Sequence, residues 1–176
     1  MYLEPVNFVA MKENQIQINY NTYQWDELSE RYKNLMDRSI AAQHNAYAPY
    51  SNFKVGAAIL LEDGTIFTGN NQENAAYPSG LCAERVAIFA CSAQNPNFKI
   101  KVIAICANSD KIEINTVLAP CGSCRQAMYE YESKQNTPIK VLLKGLDNEV
   151  VEFLCVEDLL PLVFPVSYTH LRAHET

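Results

Sequence analysis

The sequence predicts an α/β protein, a three-layer α/β/α sandwich built around a mixed sheet. Three observations predict it. Phe53–Leu61, rich in β-branched and small apolar residues, and Thr65–Thr68 flank the turn residues Glu62-Asp63-Gly64, which is the pattern of a β-hairpin. Beyond the hairpin, helical and strand patterns alternate. Ahead of it lies one long amphipathic helix. Such alternation places parallel strands beside an antiparallel one, with helices on both faces.

In chain order, residues 1–20 lack clear periodicity and read as an N-terminal extension. Met11 looks like another start, and the alternation Ile16-Gln17-Ile18-Asn19-Tyr20 suits an edge strand. Ser29 suits a helix N-cap. From it Tyr32, Leu35, Met36, Ile40 and Ala41 share one face, and the helix is expected to run to about Tyr47, ahead of Pro49. His44 on this helix reads as a solvated histidine. Gly56 marks a place where another backbone or a ligand approaches closely. Asn70–Gly80 is a polar loop in which Asn71 and Glu73 alternate, so both can face one side of an extended chain.

Cys82 to about Ala93 reads as a helix, with Val86, Ala87, Phe89 and Ala90 apolar. Cys91 on it, and Cys106 in the buried strand Lys101–Ala107, read as core thiols. Pro120 opens the next helix, as proline at a first turn does. Ile139–Leu143 and Val150–Leu154 read as strands, and Val156–Phe164 as a last helix. Val166–Thr176 has no pattern and reads as a non-native tail, so His170 and His174 are left out of any site. One domain is thus expected over 21–165.

Composition limits the function classes. The chain of 176 residues is 48% hydrophobic and 19% charged, a globular balance. Its net charge of −6 and pI of about 5.1 argue against nucleic acid, whose binders need lysine and arginine to displace counterions. No apolar run approaches the roughly 20 residues of a membrane span. Met1-Tyr2-Leu3-Glu4 lacks the basic start of a secretory signal, so a reducing cytoplasm is the expected location for the six cysteines.

The chemistry concentrates in Cys82-Ala83-Glu84-Arg85 and Pro120-Cys121-Gly122-Ser123-Cys124-Arg125-Gln126. Zn²⁺ takes thiolates in tetrahedral geometry, and a catalytic site keeps one position for water. Cys82, Cys121 and Cys124 supply three ligands, and no histidine lies near them in sequence. Cys121 and Cys124, three apart, share one helix face. Both segments start helices, where the dipole favours thiolate charge. Glu84 is placed to take the proton of an acidified water. Arg85 would offset part of the charge of three thiolates. Cysteine, a non-ligand glutamate and Pro-Cys-x-x-Cys in this order form the pattern of zinc deaminases.

At these residues the chain resembles the cytidine deaminases of the small homotetrameric class. The likeness runs from about Ser29 to Phe164, and two further segments carry it, Ala48-Pro49-Tyr50-Ser51-Asn52-Phe53-Lys54-Val55-Gly56-Ala57 and Asn71-Gln72-Glu73-Asn74-Ala75-Ala76-Tyr77. The resemblance implies a five-stranded sheet and one Zn²⁺ per chain. It implies a free nucleoside substrate, with cytidine and deoxycytidine converted to uridine and deoxyuridine as ammonia leaves. Asn71, Glu73 and Asn74 then hold the ribose, and Phe53 packs on the pyrimidine. Tyr77 and Ala83 join the substrate contacts, and Phe164 reaches a neighbouring subunit's pocket. Glu84 carries protons to ring N3 and to the amino group, with Arg85 and Gln126 behind the ligands.

Two other readings compete. A deaminase of the same fold could act on another aminopyrimidine, such as blasticidin S, or on a nucleotide; the ribose motif and the acidic balance favour the nucleoside. A non-catalytic zinc module that binds a protein partner would need a fourth protein ligand.

Overall fold

The structure, a computed structural model, describes residues 11–109, 111 and 113–165. Six strands form one sheet: β1 (Tyr20–Gln24), β2 (Phe53–Leu61), β3 (Ile66–Asn70), β4 (Ile100–Ser109), β5 (Lys140–Lys144) and β6 (Glu149–Phe153). Their order is β1-β6-β5-β4-β2-β3. Three helices accompany them: α1 (Glu30–Gln43), α2 (Ala83–Gln94) and α3 (Gly122–Gln135). β4 and β5 are parallel, and the other neighbouring pairs are antiparallel. None of the described helices is long and apolar enough to cross a membrane.

The layers follow from strand alternation, which sends successive side chains to opposite faces. Ala57, Ile59, Ile103, Ile105, Val141 and Leu143 pack against α2 and α3 through Ala87, Ile88 and Met128. Ala58, Leu60, Val102, Ala104 and Leu142 pack against α1 through Leu35 and Met36. This is the expected α/β/α sandwich. Two glycines allow the helices to sit this close. A β-carbon at Gly56 would lie 1.9 Å from the Ser39 carbonyl oxygen of α1. One at Gly69 would lie 2.5 Å from the Ala87 nitrogen and 2.7 Å from the Ala83 oxygen of α2. Gly69 thereby seats the first turns of α2 against the sheet.

Several elements differ from expectation. The sheet has six strands, not five. The added edge strand is Tyr20–Gln24, which shares only Tyr20 with the alternating stretch expected to form it, and pairs Tyr20 with Phe153 through to Gln24 with Glu149. Helix α1 is capped by the Ser29 hydroxyl as expected, but it stops at Gln43 rather than near Tyr47. The Tyr47 N–H donates to the Asn71 carbonyl at 3.0 Å, and Tyr47 bridges to Gln72, so its backbone serves the polar loop instead of the helix. Pro120 stands before the N-cap of α3 rather than inside its first turn. The expected last helix is only a 3-10 turn, Glu157–Leu159. Pro161 has no N–H and drives Leu160 to extended backbone (φ −122°, ψ 108°), which ends the turn. The expectations for residues 1–10 and 166–176 lie outside the described residues.

Candidate metal centre

Two helix N-termini meet at one point on the α2–α3 side of the sheet. Cys82 is the N-cap of α2 and Cys121 the N-cap of α3, and Cys124 follows in the first turn of α3. Neither N-cap thiol makes a capping hydrogen bond. Serine, threonine or asparagine at such a position would stabilise the helix by about 1 kcal/mol, so cysteine here gives up helix stability and leaves its sulfur free. The three Sγ atoms lie within 4.8 Å of one another, and those of Cys82 and Cys121 are 3.9 Å apart. Tetrahedral zinc with Zn–S bonds of about 2.3 Å sets its sulfurs about 3.8 Å apart, so this donor set fits the ion. The cluster offers three protein ligands among the described residues, as a site with one open position requires.

The thiols do not share charge evenly. A hydrogen bond from Cys124 and, against the opposing effect of burial, the Arg85 guanidinium bring the Cys82 thiol down to about 5. Cys124 moves the other way, raised because it shares its proton with Cys82 and because it is buried. Arg85 Nη2 lies 3.8 Å from Cys82 Sγ.

Glu84 sits between the ligands in sequence and is only 4% exposed. Burial pushes its carboxyl above the ordinary range, and its own backbone N–H and the Cys124 thiol only partly oppose this. Its Oε2 is buried and has no hydrogen-bond partner among the described residues, and neither has the neighbouring Arg85 Nε. An unpartnered buried carboxylate oxygen is costly. It is also what a proton carrier needs, since a satisfied oxygen has no room for a proton.

A second cluster forms where loop 50–53 meets the start of the polar loop. The Asn71 Oδ1 accepts from the Val55 N–H at 2.8 Å, and its Nδ2 donates to the Phe53 carbonyl at 2.9 Å. Asn71 keeps one donor and one lone pair for a ligand. The Glu73 Oε2 accepts from the N–H groups of Tyr50 (2.9 Å) and Ser51 (3.3 Å), and its Oε1 accepts from the Ser51 hydroxyl. These bonds, the hydroxyl's first, hold the Glu73 carboxyl below the ordinary range despite slight burial. The backbone of Gln72 pairs with Leu81 in both directions, which ties this loop to the residue before Cys82.

The remaining expected site residues are spread wider. Ala83, the first residue of α2, is fully buried. Asn74 uses its Oδ1 locally, accepting from the Ala76 N–H at 2.8 Å. Tyr77 is 78% exposed, edge-on to Tyr50. Gln126 Nε2 donates to the Phe164 carbonyl at 3.1 Å, and the Phe164 side chain points outward, 61% exposed. Two residues without an expected role join the site. Ser51 links Glu73 to the Phe53 N–H, and Arg125 donates to the carbonyls of Pro120 (2.7 Å) and Leu159 (2.8 Å), which fixes the ligand loop. Ser51 had a local signal, since serine two residues ahead of a backbone N–H favours this turn; Arg125 had none.

Residues 29–137 match the family model described as the cytidine and deoxycytidylate deaminase zinc-binding region. The chain belongs to that family. A cytidine deaminase of Halalkalibacterium halodurans is 38% identical over 130 residues, covering 74% of this chain and 91% of the relative. One of Sporosarcina psychrophila is 39% identical, covering 74% and 88%. The crystal structure of a cytidine deaminase from Burkholderia pseudomallei superposes with a TM-score of 0.65 at 37% identity, covering 78% of this chain and all of that one. The matched span contains the three clustered cysteines and Glu84.

Proposed function

We propose that this chain is a zinc-dependent hydrolase that deaminates cytidine and deoxycytidine to uridine and deoxyuridine, releasing ammonia. The observation that carries the reading is the unpartnered, buried Glu84 Oε2 beside three clustered thiols. Membership of the deaminase family and relatives named cytidine deaminases support the substrate. Cys82, Cys121 and Cys124 hold one zinc, which when bound supplies the Lewis acidity that brings a water's pKa towards neutrality. As the water's oxygen bonds to the ring carbon that bears the amino group, Glu84 would take its first proton and pass it to the ring nitrogen; Glu84 would then take the second proton, from the new hydroxyl, and pass it to the amino group, which leaves as ammonia when the C–N bond breaks. Burial favours the protonated form of Glu84, which makes its uptake of the water's proton easier. Arg85 offsets thiolate charge. Asn71 and Glu73, with Asn74 beside them, hold the sugar, and Phe53 packs on the ring. Tyr77 and Ala83 bound the substrate space, and Gln126 steadies the segment that ends at Phe164.

The exposed Phe164 and Tyr77 side chains support a homotetramer in which neighbours complete each other's sites. A reducing cytoplasm keeps the thiols available.

The test is the absorbance of zinc-loaded protein mixed with cytidine, deoxycytidine or cytosine. Loss of the cytidine signal with equal uridine and ammonia is the expected result. About one zinc per chain with no turnover would overturn the substrate assignment and send the search to blasticidin-type aminopyrimidines.

A further inference from the structure

We propose that Ser51 is a positioning residue whose hydroxyl locks the Glu73 carboxylate to the Phe53 backbone, so that the sugar and ring sides of the site are held in one register. The proposal rests on the roles given above to Glu73 and Phe53. The hydroxyl donates to Glu73 Oε1 and accepts from the Phe53 N–H at 3.0 Å. Asn52, between them, adopts left-handed backbone (φ 56°), so the turn that brings Ser51 back onto Phe53 is a committed conformation. Phe53 is then gripped at both backbone groups, its N–H by Ser51 and its carbonyl by Asn71.

A count of lone pairs gives the consequence. A carboxylate offers about four acceptor directions. The N–H groups of Tyr50 and Ser51 fill both on Oε2, and the Ser51 hydroxyl fills one on Oε1. One direction on Oε1 remains for a substrate hydroxyl, and Ser51 determines which one. Without that hydroxyl Oε1 has two open directions, and Phe53 loses the link that keeps the ring in step with the sugar. The chemistry at Glu84 is elsewhere, so the effect falls on binding.

The experiment is steady-state kinetics of the zinc-loaded full chain on cytidine for wild type, Ser51→Ala, Ser51→Thr, Glu73→Gln and the Ser51→Ala/Glu73→Gln double variant, with melting temperatures recorded alongside. Ser51→Ala is expected to raise KM about tenfold, the lower range for a hydrogen bond to a charged group, while kcat changes by less than about twofold. Ser51→Thr, which keeps the hydroxyl, restores most of the loss. In the Glu73→Gln background the Ser51 substitution adds little, since its partner has gone. Fully additive effects, or an unchanged KM in Ser51→Ala while Glu73→Gln raises it, would overturn the role of Ser51 alone. An unchanged KM in Glu73→Gln would overturn the sugar-holding role on which it rests. A wild type that does not turn over cytidine would overturn both this and the proposed function.

Discussion

Cys82 Sγ and Cys121 Sγ lie 3.9 Å apart although 39 residues separate them. A disulfide holds its sulfurs at about 2 Å and neither cysteine is in one, and the separation suits two ligands on one ion. Cys121→Ala is therefore expected to lose zinc and stability together, because metal binding and folding share free energy. Metal analysis should fall well below one zinc per chain, with a drop in Tm on the order of 10 °C relative to the zinc-loaded protein. Normal zinc content in this variant would remove Cys121 from the ligand set.

Glu84→Gln separates proton transfer from metal binding. The amide keeps the shape but cannot carry a proton, so turnover should fall by about 10³-fold or more while zinc content stays normal. Stability should move the opposite way. Burial raises the Glu84 pKa, which means that the folded state pays to hold the charge at neutral pH, and a neutral amide relieves that cost. A variant that is inactive, zinc-loaded and at least as stable as wild type fits the assigned role. Substantial residual turnover would end it.

Much of this site was legible because its signals are local. A ligand at a helix start, a second pair three apart and a nearby glutamate are all spacings along the chain, and the structure brings Cys82, Cys121 and Cys124 together as those spacings imply. The Ser29 cap and the hairpin were readable for the same reason. What escaped depends on distant partners. The end of α1 is set by Asn71 and Gln72, which take up the Tyr47 backbone. Edge strand β1 is fixed by β6, at the other end of the chain. Glu132, on α3, is buried because the N–H groups of Ile139, Val156 and Glu157 converge on its carboxylate, and no sequence window contains all of them. The missing last helix is the exception, since Pro161 was visible and outweighs the apolar run around it.

Two glycines give opposite predictions. Gly56→Ala drives a methyl into the α1 backbone at Ser39 and Gln43, which can yield only if the helix moves off the sheet. Soluble folded protein should be nearly absent, consistent with overpacking costs of about 3 kcal/mol or more. Gly122→Ala meets nothing within 4 Å, although it lies between Cys121 and Cys124, the proposed ligands. It should keep zinc and fold, with stability unchanged or raised by up to about 1 kcal/mol, because alanine is the better helix residue. Expression yield, circular dichroism and zinc analysis on the pair check both.

Glu152 gives the pH prediction. It is 2% exposed on β6, and four donors reach it. Asn21 Nδ2 (3.1 Å) and the Tyr23 hydroxyl (3.0 Å) donate to Oε2, and the Tyr32 hydroxyl (3.2 Å) and Lys140 Nζ (3.0 Å) donate to Oε1. One carboxylate thus joins β1, α1 and β5. Burial works to raise its pKa, but the donors from Asn21, Lys140 and Tyr23 together outweigh it, and the net shift is downward. A group whose folded pKa lies below its unfolded value contributes stability that is present above about pH 4.3 and is lost as pH falls through the folded pKa. Glu152→Gln replaces one acceptor oxygen by an amide that faces donors, at a cost of about 2 kcal/mol, or roughly 6 °C in Tm near pH 7. As pH falls through that lowered folded pKa the wild type loses its charge as well, so the two melting curves should converge. A Tm difference that stayed constant from pH 7 to pH 3 would mean that the geometry of the cluster, and not its charge, holds β1 to the sheet.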